Sequence, residues 1–195
     1  MLIYSDGSCR RNGKPDCVAG FGVAASDGHI LSGYETASTS QRGELYGMIH
    51  ALDYAITLRN NGYYNDISVV SDSAYVINCI REQWFARWIR NGWRTAQGTE
   101  VKNIELWGTV MNRLSQLDLD TVNFYAIKGH TKDINVTIEK FKEANFGAVP
   151  PQDILQKMIE GNDLVDALAK HGRDYGEMIQ ADWTDRTFGY APTTA

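Results

Sequence analysis

Four acids stand at positions where a carboxylate could do chemistry. Asp6 closes the strand-forming run Leu2-Ile3-Tyr4 and opens Asp6-Gly7-Ser8, which taken alone is ordinary turn chemistry. Asp72 closes a second apolar run, Ile67-Ser68-Val69-Val70-Ser71. Glu44 lies four residues before Met48, on or beside the apolar face of a helical repeat, and Asp166 adjoins Val165 at the margin of another. Singly, such acids serve turns and helix dipoles. Together they would repel and raise one another's pKa values, so a convergent set implies a cation. Hard divalent ions take carboxylate oxygens. Two such ions roughly 3.5–4 Å apart can activate water and relieve charge on a phosphoryl group and its leaving oxygen. Phosphodiester hydrolysis is the chemistry these residue types suit.

That chemistry needs elements that deliver all four acids to one place. Residues 17–25 read as a buried strand, Asp27-Gly28 as a tight hairpin, and 29–37 as the returning strand, so the first three strands form an antiparallel meander. Ser38, Thr39 and Ser40 offer an N-cap to a helix carrying Leu45, Met48, Ile49, Leu52 and Ile56, which stops near Asn60-Asn61-Gly62. The strand at 66–71 follows a crossover and is therefore expected parallel to the first. Two neighbouring parallel strands that both end in Asp place those acids at the carboxyl edge, where open α/β sheets bind ligands. A helix follows from Tyr75, then a short one from Trp84, another over 101–114, and a fifth strand over 122–127. Residues 131–160 read as a partly helical excursion with a stop at Pro150-Pro151. From there a helix carries Ile154, Leu155, Met158, Val165 and Leu168, with Gly161 weakening its middle.

The 195 residues suffice for one well-buried domain, and 43% hydrophobic with 22% charged residues is a globular composition. Three cysteines without CxxC spacing argue against a disulfide framework or a zinc site and favour a reducing compartment. There is no secretory leader pattern and no apolar stretch of membrane-spanning length, so the expected location is the cytoplasm. A net charge of −5 speaks against a nucleic-acid partner, but its distribution speaks for one. Residues 81–102 hold Arg81, Arg87, Arg90, Arg94 and Lys102 against Glu82 and Glu100, and three of the five tryptophans, Trp84, Trp88 and Trp93.

The motifs Tyr4-Ser5-Asp6-Gly7-Ser8, Gln41-Arg42-Gly43-Glu44-Leu45, Val69-Val70-Ser71-Asp72-Ser73 and Asn162-Asp163-Leu164-Val165-Asp166 resemble, in order and element type, the four carboxylate motifs of type 1 ribonuclease H. The Trp84–Arg94 segment resembles that family's basic protrusion, Val101-Lys102-Asn103-Ile104 its following helix, and Lys128-Gly129-His130 its Gly-His loop. The resemblance implies an α/β, RNase H-like fold: a five-stranded mixed sheet, strands 1–3 an antiparallel meander and strands 1, 4 and 5 parallel, with helices on both faces. It implies one catalytic domain over residues 1–172 with an insertion at about 131–160, and a C-terminal extension over 173–195. Departures fall at Ala74, at Asp163 and in the 31 residues between His130 and Asn162.

The implied activity is hydrolysis of the RNA strand of RNA–DNA hybrids, leaving 5′-phosphate and 3′-hydroxyl ends. Asp6, Glu44, Asp72 and Asp166 would hold two Mg²⁺ ions, with Mn²⁺ a possible substitute, Asp6 bridging both. His130 would assist metal or product turnover. Cys9 (through its backbone), Asn12, Gln41 and Glu44 match positions facing the RNA strand's minor groove, where the 2′-hydroxyl distinguishes RNA from DNA. Thr39 matches a phosphate-pocket position, and Trp84, Arg87, Trp88, Arg90, Trp93 and Arg94 would line the DNA strand's channel. For Trp88 and Trp93, packing in the core is an equal reading. The expected protein is a monomer with no obligate protein partner. Two alternatives stand: a DNA-directed nuclease or strand-transfer enzyme on the same fold, and a non-catalytic nucleic-acid-binding module.

Overall fold

The computed structural model describes residues 1–128 and 134–188, with side chains described over 1–128 and 137–181. One sheet organises the chain, in the order β3-β2-β1-β4-β5. β1 is Leu2–Cys9, β2 Ala19–Ala25, β3 Ile30–Glu35, β4 Ile67–Ser71 and β5 Val122–Ala126. β1, β2 and β3 pair antiparallel, and β1, β4 and β5 pair parallel, as the sequence predicts. Successive strand residues face opposite sides, and two apolar layers follow. Ile3, Val23 and Val69 join Leu45, Met48, Leu52 and Trp107 in one. Tyr4, Ala24 and Val70 join Phe141, Leu155, Met158 and Val165 in the other. Helices α1 (Ser40–Asn60), α2 (Ala74–Arg81), α3 (Trp84–Arg90) and α4 (Ile104–Leu114) supply the first layer, α5 (Ile134–Ala144) and α6 (Gln152–Phe188) the second.

Thr39 caps α1, accepting from the Arg42 N–H at 3.3 Å, and the helix ends at Asn61 with Gly62 at φ +85°. Two expectations change. β1 does not stop at Asp6: β2 continues to pair with it through Asp6–Gly22, Gly7–Phe21, Ser8–Gly20 and Cys9–Ala19. Strand pairing has overridden the turn preference of Asp-Gly-Ser. Only the parallel ladder ends there, at Ser5–Ser71. That extension carries Cys9 to Cys17, and the two form a disulfide across a loop, Cα–Cα 6.8 Å, against the expectation of reduced cysteines. Cys79 is free and buried. α6 runs unbroken through Gly161, where the Tyr4 ring lies so close that there is no room for a Cβ. Residue 173 lies inside α6, which runs unbroken past it, with Arg173 only 8% exposed. No helix among the described residues is long and apolar enough to cross a membrane.

Candidate active site

The end of the β1–β4 ladder is where the acids meet. Asp72 directly follows Ser71, the last residue of β4, and Asp6 follows Ser5, the last β1 residue paired to it. Glu44 comes from the second turn of α1, and Gly7 lets it come close. A Cβ on Gly7 would fall 2.3 Å from the Glu44 backbone nitrogen, so any larger residue would push α1 off the strand. Carboxylate oxygens of Asp6, Glu44 and Asp72 all lie within 4.8 Å of one another.

This pocket is poor at holding charge by itself. Asp6 is 4% exposed, and one carboxylate oxygen accepts its neighbour Gly7's N–H at 2.6 Å. Burial, followed by the charges of Asp72 and Asp166, pushes its pKa up to about 8. Burial also pushes Glu44 well above the usual carboxylate range, with Asp6 and Asp72 adding to the effect. Glu44 Oε2 is buried with no hydrogen-bond partner. A buried carboxylate oxygen without a donor is costly, and an all-oxygen donor set suits a hard divalent ion. The three residues fit such a cation.

Asp166 is near this group but not within it. α6 crosses β2 closely because Gly22, the partner of Asp6, lacks a side chain; a Cβ there would meet the Val165 carbonyl oxygen at 2.6 Å. Asp166 follows Val165, and its charge acts on Asp6. Its Oδ2 is nevertheless taken by Lys170 Nζ at 2.6 Å, one turn on. His130 lies outside the described residues.

The other candidates form a rim. Asn12 Oδ1 accepts the backbone N–H of Ser40 at 3.1 Å, which sets the 10–16 loop on the start of α1 beside Thr39. Cys9 is half-buried at the base of that loop, its sulfur in the disulfide. Gln41 Oε1 accepts from Asn103 Nδ2 at 3.1 Å. On α3, Trp84, Arg87 and Trp88 join Tyr75, Thr95, Ala96 and Gln97 around a groove of about 290 Å³. Trp88 settles mainly as core, 6% exposed and edge-on to Trp107 at 5.3 Å. Trp84 is half-buried, edge-on to Tyr75 and Trp88, and donates its indole N–H to Glu82 at 2.9 Å. Trp93 is half-buried at φ +59° against the first apolar layer. Arg87, Arg90 and Arg94 are exposed, and Arg94 donates to the Gly98 carbonyl at 2.8 Å.

Sequence reasoning overlooked Arg42. Its guanidinium forks onto Glu35, Nε–Oε2 and Nη2–Oε1 both 2.7 Å, and also reaches Glu105 and Asn103. It thereby ties β3, α1 and the start of α4 together. Its position between Gln41 and Glu44 was the available signal, but partners seven and about sixty residues away are invisible in a linear pattern.

The chain's similarities agree with this geometry. The sequence profile of the RNase H family matches residues 1–174. Ribonuclease H of Caldicellulosiruptor saccharolyticus is 33% identical over 133 residues, 68% of this chain and 86% of the relative. Ribonuclease H of Chlorobium phaeobacteroides is 38% identical over 132 residues, 67% of this chain and 84% of the relative. Among solved structures, the PFV RNase H domain in solution superposes with a TM-score of 0.61 at 22% identity, covering 89% of this chain and 94% of that one. LC11-RNase H1 in complex with RNA/DNA hybrid gives 0.54 at 16% identity, covering 90% and 97%.

Proposed function

We propose, from the premise that this chain belongs to the RNase H family, that it is a ribonuclease H hydrolysing the RNA strand of RNA–DNA hybrids with divalent cations held by its carboxylates. The observation that carries the reading is the convergence of Asp6, Glu44 and Asp72 within 4.8 Å at the carboxyl edge of the β1–β4 ladder. Of the family's two-ion arrangement, these three residues would hold one ion, and Asp166, released from Lys170, would join Asp6 around the second. Bound there, Mg²⁺ or Mn²⁺ supplies Lewis-acid stabilisation of the phosphoryl oxygens and the leaving oxygen.

The chain's own residues do the rest. Without a cation the crowded carboxylates resist ionisation and offer a phosphodiester no positive partner, so cleavage waits on the cation. Asn12, Gln41 and the Cys9 backbone face the RNA strand's minor groove, and Thr39 meets a phosphate at the start of α1. Trp84 and Arg87, with the edge of Trp88, receive the DNA strand in their groove; Arg90, Trp93 and Arg94 extend it. His130 assists product turnover. A water oxygen bonds to phosphorus as the P–O3′ bond breaks, giving a 5′-phosphate and a 3′-hydroxyl. The enzyme acts as a cytoplasmic monomer, residues 1–172 forming its catalytic domain with α6 continuing past them.

The test is incubation of purified protein with matched RNA–DNA hybrid, RNA duplex, DNA duplex and single-stranded RNA, each with Mg²⁺ and with Mn²⁺. Cleavage confined to the RNA of the hybrid is expected. Equal cutting of DNA duplex would move the assignment to a DNA-directed nuclease, and hybrid binding without cutting to a non-catalytic module.

A further inference from the structure

β3 is an outer strand of the sheet. The bond from the Ala25 N–H to the His29 carbonyl sets the phase of its pairing with β2, and the register runs without a bulge. Leu31, Gly33 and Glu35 therefore direct their backbone groups at β2, while those of Ile30, Ser32 and Tyr34 turn outward. Among the described residues nothing pairs with that edge. Sheet edges are usually blunted by lysine, proline or an unpaired charge. β3 has no lysine or proline, and Arg42 occupies its Glu35.

The side chains of Ile30, Ser32 and Tyr34 face α6. Ser32 Oγ donates to the Leu168 carbonyl at 2.7 Å, and the Tyr34 ring is edge-on to Tyr175 at 5.8 Å. α6 lays Val165, Ala169 and Gly172 on the sheet. Beside them, on the β3 side, come Leu164, Leu168, His171, Tyr175 and Met178, spaced four, three, four and three as in a coiled-coil seam. A surface helix ordinarily turns polar residues outward. Yet Leu164, Tyr175 and Met178, with Ile30 on β3, are 47–60% exposed.

We propose that this face receives a second copy of the chain, the two β3 strands pairing antiparallel about a twofold axis at Ser32. That register engages every outward residue. Ile30 meets the partner's Tyr34, Ser32 the partner's Ser32 and Tyr34 the partner's Ile30, each pair exchanging both N–H···O bonds. It sets Ile30 against an aromatic ring and Leu31 opposite the partner's Gly33, where no side chain opposes it. The α6 stripe shares the symmetry. His171 is its centre, with Leu164 and Met178 equally far on either side, so reversed copies bring apolar to apolar across the seam. Two elements about 20 Å long give an interface near the lower limit for a stable one, about 1,200 Å² in total. Dissociation is accordingly micromolar. β1 runs parallel to β3, so the two carboxylate sites open at opposite edges of the shared sheet. Each copy keeps its whole site, and the monomer remains the unit that cleaves.

Sedimentation equilibrium of the full chain over about 1–200 μM is the direct test. The expected result is a mass rising from one chain to two. Ile30→Lys and Met178→Lys should each raise Kd about tenfold or more, with the thermal midpoint at low concentration near the parent's. Amide hydrogen exchange at Ile30, Ser32 and Tyr34 of the parent should slow as concentration rises, a measurement that needs no variant to fold. A single-chain mass throughout, association that neither substitution weakens, or unchanged exchange at those amides would overturn the inference. kcat per chain on hybrid should be the same in both variants as in the parent, and its loss on dissociation would overturn the independence of the two sites. A failure to pair leaves hybrid cleavage, and with it the reading of the active site, untouched.

Discussion

The side-chain amide of Asn145 pairs with both backbone groups of Ala126, accepting its N–H at 3.0 Å and donating to its carbonyl at 2.8 Å. It does for the outer edge of β5 what a sixth strand would do. The same Nδ2 donates to the Phe141 carbonyl at 2.8 Å, and Arg81 donates to Oδ1 at 3.2 Å while its guanidinium lies over the Phe146 ring. Unpaired strand edges invite association with other chains. Part of the segment between β5 and α6 therefore has a structural task, covering one end of that edge.

Asn145→Ala should accordingly act on stability and not on chemistry. It strands the buried N–H and carbonyl of Ala126, at about 1–3 kcal/mol for each unsatisfied group. A loss of about 3 kcal/mol in urea unfolding is expected, with kcat on hybrid preserved at temperatures where the variant is folded. A large fall in kcat would mean that this segment shapes the active site.

Asp6→Asn should abolish hybrid cleavage, by about a thousandfold or more in kcat, while hybrid binding survives. It removes the carboxylate that both neighbouring strand ends and α1 converge on, yet keeps its shape. Without added metal the variant should also melt higher than the parent near neutral pH, because folding no longer has to protonate a crowded, buried carboxylate. Full activity in this variant would remove the carboxylate mechanism.

The raised pKa of Asp6 sets a pH dependence whose sign is opposite to that of a salt-bridged acid. Between the unfolded value near 4 and the folded value of about 8, the folded protein holds a proton that the unfolded chain has released. Metal-free stability should therefore fall as pH rises through that window, and the fall should be smaller in Asp6→Asn. Mg²⁺ competes with the proton, so its stabilisation should grow towards pH 8. Thermal midpoints at several pH values, with Mg²⁺ and with chelator, test this; a metal-free midpoint that rises with pH would contradict it.

Arg87→Ala with Arg94→Ala should raise KM for hybrid more than it lowers kcat. The plot of log binding constant against log salt should become shallower by roughly one to two, about one unit for each phosphate that the arginines no longer neutralise. An unchanged slope would take the α3 segment off the binding surface.

Gly7→Ala should damage both fold and site. Its Cβ would fall 2.3 Å from the Glu44 nitrogen, and backbone cannot yield as a flexible side chain can. A loss of about 1–3 kcal/mol is expected from the overpacking, together with a kcat reduced by displacement of Glu44. Wild-type kcat would show that α1 has no required distance from β1.

Much of this molecule was legible in one dimension, wherever the signal was periodic or local. Short runs of apolar and β-forming residues bounded by turn residues specified five strands, because both signals lie between near neighbours. The Thr39 cap and the Asn61-Gly62 stop bounded α1, because capping is chemistry between near neighbours. The acids at 6 and 72 could be assigned to one edge, because a crossover makes neighbouring strands parallel and parallel strands end together. Tertiary structure alone decided what depends on partners far along the chain. Pairing with β2 carried β1 past Asp6 and so brought Cys9 to Cys17. Burial divided the tryptophans, sending Trp88 mostly into the core and leaving Trp84 at the groove. Close packing over Gly7 and Gly22 brought Glu44 into the cluster and α6 up to its side, where Asp166 pairs with Lys170. The Arg42 network joins residues up to seventy positions apart, Glu35 to Glu105, by hydrogen bonds that have no repeat and no spacing. Distances of that kind come from the folding of the whole chain.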